Sequence, residues 1–228
     1  MRAHNTAATG MMAMELNVQV IANNLANMTT TGYKRQRTEF QDLLYDHVSR
    51  IGTQTSAQGN ILPVGIDLGS GVKTVGTPRL MTQGTLAQTG GSLDVAVRGD
   101  GFFKIQLPDG TYAYTRDGSF QMDNTGRIVT AQGNVVQPTI TIPQNSTALT
   151  INPQGQVSVI PQGQTLPTIL GQLTITRFIN QAGLLPVGDN MYTETPASGT
   201  PLDGIAATDG TGDLLPGRLE PSNVDSVT

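Results

Sequence analysis

From Ala7 onwards, apolar side chains fall at Met11, Met14, Val18, Ile21, Leu25 and Met28, in steps that alternate four and three. That spacing puts them on one narrow stripe of an α-helix, the geometry of a coiled-coil seam. It predicts a single helix over residues 5–27. Thr29-Thr30-Thr31-Gly32 should end it, with β-branched residues and a glycine able to take φ > 0. From Ala7 to Met28 the stripe covers about 32 Å at the helical rise. An isolated helix of that length is marginal in water, so its stability must come from packing. The chain holds no second heptad of comparable length. The seam is therefore expected to meet a helix of another chain, or of a segment beyond Thr228. A shorter helical pattern is predicted at Phe40, Leu43, Leu44 and Val48.

Past residue 50 the pattern changes. Gly52 to Asn60 is polar and without period, and Pro63, Gly65, Gly69 and Gly71 punctuate the stretch after it. Residues 51–72 read as an extended excursion or β-hairpin, with a plain linker as the alternative. From Val72 the rhythm is β. Phe102 to Leu107 and Thr111 to Thr115 flank a Pro108-Asp109-Gly110 turn as the arms of a hairpin. Further short strands are expected at Arg127 to Thr130, Val135-Val136, Ile140 to Ile142, Val157 to Ile160, Leu173 to Phe178 and Asn190 to Thr193. Turn signals every eight to twelve residues are the all-β habit. Residues 196–217 read as a surface loop. The tail from Leu219 reads as the entry to a helix, with Ser222 or Asn223 as N-cap. The expected fold is mainly β with an N-terminal α-helix: a turn-rich, barrel-like meander plus a coiled-coil-forming terminus. Its parts are 1–50 (helical assembly segment), 51–72 (connector), 73–217 (β body) and 218–228 (start of a C-terminal helix).

Composition narrows the function. Gly and Pro (27 and 13 of 228 residues) exceed the roughly 12% of ordinary usage. Apolar runs recur between them, so the excess marks turns rather than disorder. A net charge of −4 gives no electrostatic case for nucleic acid or for insertion at an anionic membrane. The absence of Cys excludes disulfides and thiolate catalysis. There is no apolar run long enough to span a membrane. Asn5, Thr6, Thr9, Glu15, Asn17 and Gln19 break up any signal-peptide core, which leaves the cytoplasm or an export route that cleaves no such signal. His4 and His47 have no ligand set around them, so no metal and no cofactor is expected. Thirteen of the seventeen acids are Asp, many beside Gly, which turn chemistry explains without a catalytic pair. Gly65 to Lys73 fails the spacing of a phosphate loop. Arg98-Gly99-Asp100 reads as a turn into a strand. Lys34-Arg35-Gln36-Arg37 reads as a solvated helix face, or as partners for Glu39 and Asp42. No enzyme is expected.

Three blocks carry a resemblance: Ala22-Asn-Asn-Leu-Ala-Asn-Met-Thr-Thr-Thr-Gly-Tyr-Lys34, Leu93-Asp-Val-Ala-Val-Arg-Gly-Asp-Gly-Phe-Phe103, and Tyr114-Thr-Arg-Asp-Gly-Ser-Phe120. With the tail Leu219-Glu-Pro-Ser-Asn-Val-Asp225 they resemble, in order, the bacterial flagellar rod and hook family. Phe40 to Tyr45 and the 51–72 segment look like what separates distal-rod members from hook members. The resemblance implies an axial structural protein that polymerises with itself into a rigid helical drive shaft in the basal body. It also implies other rod and hook proteins and the surrounding ring proteins as partners, export without a cleaved signal, and a position spanning the periplasm. It implies a C-terminal helix that pairs with the first as a coiled coil. The expected subunit interface is Met11, Met14, Val18, Ile21, Asn23, Asn24, Leu25 and Asn27. The amides either bond across a helix interface or simply end the helix. The rivals are a hook or proximal-rod protein of the same family and a phage-tail or adhesin-like β-protein.

Overall fold

In the computed structural model, residues 2–49, 64–208 and 210–225 are described. The heptad forms α1, Arg2–Ala26. Met28 and Thr30 close its end, donating to the carbonyls of Leu25 and Asn27, and Gly32 turns the chain with φ +71°. A Cβ at Gly32 would lie 2.8 Å from the Asp117 nitrogen, so this turn demands glycine for space as well as for conformation.

The chain divides into two units. The first holds residues 1–24 and 36–79. Here the structure corrects the helix predicted around Phe40 to Val48: those residues are strands. β1 (Glu39–Asp42) and β2 (Tyr45–Ser49) pair antiparallel with β4 (Val72–Gly76) and β3 (Ile66–Gly69), respectively. Leu43 and Leu44 bond across to Gly71 and Ser70, so the two pairs join into one long two-stranded ribbon. Spacing misled at this point because four apolar residues over nine positions fit several periods. The aromatic and β-branched residues Phe40, Tyr45 and Val48, with a partner arm to pair with, favour the strand. Of the 51–72 segment, β3 and the start of β4 are ribbon; residues 51–63 lie outside the described residues.

The second unit holds residues 25–35 and 80–228. Its principal sheet has nine strands and curls into a half-barrel. Phe102–Gln106 is the hub. Tyr112–Thr115 pairs along one edge, and the other edge is shared by Thr174–Arg177, opposite Phe102 and Phe103, and Val135–Gln137, opposite Lys104 to Gln106. Consecutive side chains on a strand face opposite ways, so Phe102 and Phe103 serve two different cores. Phe103 joins Val95, Val97, Phe120, Ile128, Ile175 and Leu214. Residues of the three-stranded sheet (Ser146–Ile151, Gln156–Pro161, Thr168–Gln172) cover this cluster. Phe102 joins Tyr114, Phe178, Leu184 and Tyr192, its ring edge to face with those of Phe178 and Tyr192, and Tyr114 edge to face with Phe178.

The expected loop at 196–217 is a further correction. Leu202–Ile205 and Asp213–Pro216 are strands, and Ser198, Ala206 and Leu214 are fully buried. The Gly-rich stretches only connect them. Asp109, Asp117 and Asp123 do make the expected turns, each carboxylate accepting from the backbone and hydroxyl of the residue two places on. Asp203 and Asp213 instead sit on strands and hold Lys104 and Arg98. Asp209 lies outside the described residues.

Candidate assembly interface

Two faces of α1 do different work. Thr9, Asn17 and Asn24 recur about every two turns, and each bonds the ribbon or the segment 36–38 that leads into it. The Val72 amide donates to the Thr9 hydroxyl, the Thr38 hydroxyl donates to Asn17, and the Asn24 amide both donates to and accepts from the Gln36 backbone at 2.8 and 2.9 Å. Ala13 and Val20 are buried on the same side. The heptad stripe lies roughly 100° round the helix from this row. There Met11, Met14, Val18, Ile21 and Leu25 remain 55–68% exposed. An aligned row of large apolar side chains differs from the single scattered ones common on protein surfaces.

The asparagines do not share that stripe. Asn23 is exposed on roughly the opposite side of the helix, while Asn27 lies just past the helix end and accepts the Thr30 hydroxyl at 3.2 Å. Both polar atoms of the Asn24 amide are taken up by Gln36.

Sequence reasoning missed a second site. Lys34 is fully buried rather than on a solvated helix face. Its ammonium donates to the Glu220 carboxylate at 2.5 Å and to the Thr82 carbonyl at 2.9 Å. Arg37 does meet Glu39, at 2.7 Å. Glu220, also fully buried, accepts in addition from the Gly84 amide, and the Arg116 guanidinium stands 3.8 Å from its second oxygen. Arg116 caps the Gly99 carbonyl and lies over the Phe102 ring. Burial pulls the Lys34 ammonium below its ordinary pKa, opposed by the Glu220 charge, and Arg116 is pulled down in the same way. Two buried cations thus share one buried carboxylate. The only sequence signal was the charge of Lys34, Arg116 and Glu220 inside otherwise small or apolar motif blocks.

In the tail, Arg218–Leu219 pairs with Ala87–Gln88, and residues 220–225 are not helical. Ser222 accepts from the Val224 amide at 3.2 Å, as an N-cap would. Asn223 instead clamps backbone, accepting from Arg35 and donating to Leu80 and Thr82.

Among the described residues no group of three or more His, Cys, Asp or Glu side chains could hold a metal ion, and no helix is long and apolar enough to cross a membrane. What the fold offers is a β body and a long helix with an uncovered apolar edge, the layout of a subunit for axial assembly. The family model for the flagella basal body rod protein matches residues 5–34, and that for the flagellar hook protein FlgE/F/G D1 domain matches residues 96–159. The chain is 49% identical to the flagellar basal-body rod protein FlgG of Caulobacter vibrioides, over 100% of this chain and 87% of that one. It is 49% identical to that of Buchnera aphidicola from Acyrthosiphon pisum, over 95% and 83%. The flagellar hook protein FlgE of Treponema pallidum is 37% identical over 60% of this chain and 29% of its own. The chain belongs to the flagellar basal-body rod protein family, and its place there is with the distal rod proteins.

Proposed function

We propose that this subunit polymerises with copies of itself into the distal rod, and that Met11, Met14, Val18, Ile21 and Leu25 are the side chains through which α1 packs on neighbouring helices. Their exposure on one aligned stripe carries the reading. Burying what remains exposed of these five side chains offers roughly 5–9 kcal/mol of gross stabilisation per subunit. Repeated through a heterologous, open-ended contact, it builds a filament rather than a closed ring. Asn23, on the far side of the helix, and Asn27, just past its end, are further contact candidates, while Asn24 sets the helix on the Gln36 backbone of its own chain. The ribbon is the second contact: Leu44, Tyr45, Val48, Val64, Ile66 and Leu68 are exposed on it, and neighbours that cover them would stiffen the shaft. Such a shaft transmits torque between motor and hook, meets other rod and hook proteins at its ends and ring proteins around it, and spans the periplasm. It reaches that position by export without a cleaved signal. It performs no catalysis.

Val18→Asp or Ile21→Asp tests the interface, because a charge on a packed seam costs several kcal/mol while lying outside the β cores. Circular dichroism should show the β body folded, and motility complementation should fail. Normal swimming by either variant contradicts the proposal.

A further inference from the structure

The strap formed by residues 218–223 and the segment 31–35 lie side by side in the second unit; Arg218–Leu219 is held by pairing with Ala87–Gln88 and the Thr31 carbonyl accepts from Asn190, while Gly32, Lys34, Arg35, Glu220 and Asn223 bond one another and residues 80–84. Gly32 donates its amide to the Glu220 carbonyl at 2.7 Å, Lys34 pairs with the Glu220 carboxylate, and the Arg35 amide donates to Asn223 at 2.7 Å. On the third side Leu80 donates to the Arg35 carbonyl, Thr82 accepts from both Lys34 and Asn223, and Gly84 donates to Glu220. A Cβ at Gly84 would run into the Pro221 carbonyl, so the backbones meet too closely for any other residue. Without the Glu220 carboxylate, the Lys34 ammonium would keep the Thr82 carbonyl as an acceptor but no opposite charge. Without Lys34, the Glu220 carboxylate would face Arg116 across 3.8 Å with no charged hydrogen-bond donor. Neither half is a tolerable state for a buried charge.

We propose that Lys34, Arg116 and Glu220 form a latch that makes the segments 32–35 and 220–223 dock on the β body as one cooperative step, each holding only when the other is seated. Such coupling is reciprocal by thermodynamic necessity. It is a property of the free subunit and stands whether or not the stripe on α1 is the polymer contact.

Hydrogen exchange on the full chain tests it. Glu220→Gln, a change on the strap, should speed exchange at the Gly32 and Arg35 amides by about a hundredfold or more, the scale of a broken buried pair. Lys34→Met, a change on the other segment, should do the same to Gly84 and Val224. The double variant should be little worse than the more severe single one, since both open the same latch. Amides from Phe102–Gln106 and Val135–Gln137 report on the body and should remain slow throughout. Lys104→Met, which breaks the surface pair with Asp203, is the control and should leave the latch amides unchanged. The latch is overturned if each single variant loosens only its own segment, if the effects of the two add, or if the body exchanges together with the two segments. Asn223→Ala gives a milder opening, and the same reciprocal pattern is required of it.

Discussion

Phe103 and Leu44 mark the two extremes of side-chain environment in this chain. Phe103 is fully buried, with its ring 4.9 Å from Phe120, whereas Leu44 is 87% exposed. Removing a buried ring loses its transfer free energy and leaves a cavity, so Phe103→Ala should cost about 3–5 kcal/mol in urea unfolding of the body. Leu44→Ala should stay within about 0.5 kcal/mol for the isolated subunit, because none of the described residues covers it. Equal costs would mean that the core is misplaced. Residues of the Phe103 kind were legible in the sequence, since apolar runs between turns can only be core. Lys34 and Glu220 were not. Each was visible as part of a motif block, but their pairing spans 186 positions, and no periodicity encodes a contact at that separation. Charge alone argued for the surface, which is the right default until a partner of opposite sign is known to be buried too.

α1 carries two distinct faces, one bonded to residues of its own chain and one exposed. The sequence disclosed the stripe of Met11, Met14, Val18, Ile21 and Leu25 because large apolar residues carry the heptad signal. The inner row of Thr9, Ala13, Asn17, Val20 and Asn24 repeats at the same spacing but is mostly small or polar, so it passed unnoticed. The consequence is a separation of effects. Val20→Asp should loosen the packing of α1 on its own ribbon and raise amide exchange in β1 and β4, because a two-stranded ribbon is marginal without support. Val18→Asp, two residues away on the outer stripe, should leave those amides as they were in the free subunit. Similar exchange in both variants would show that the two faces are not distinct. The ribbon itself was half legible: its return arm was expected as an extended excursion, while its outgoing arm was taken for helix. Short runs with partners some thirty residues away defeat periodicity alone.

For the molecule as a whole, acid is the weak side of its stability. Thr111, Thr125 with Arg127, and Arg98 hold Asp109, Asp123 and Asp213 below the ordinary aspartate value of 3.8; Asp203 is held there too, where bonds from Lys104 and Thr176 outweigh its partial burial. Below that value the unfolded chain takes up protons that the folded chain refuses. The stability these groups contribute is therefore complete above about pH 5 and is lost as pH falls through the unfolded value towards their folded values. The urea midpoint should be flat from about pH 7 to pH 5 and then drop. Asp123→Asn should start lower and drop less steeply, and an unchanged acid slope would show that its turn is not a folded-state trap for the charge. The order of elements and the β class of the body were readable from turns and alternation, and the membership of the rod family from four short blocks. The division into two units was not, because it depends on the ribbon packing along α1 rather than on any change of composition. The central claim is that the stripe on α1 is covered by neighbouring subunits. Helical reconstruction of the native rod by electron microscopy measures this directly. Met11, Met14, Val18, Ile21 and Leu25 should each lie within van der Waals contact of another subunit's helix. A rod in which those five side chains face solvent, with subunits joined through other surfaces, would contradict it.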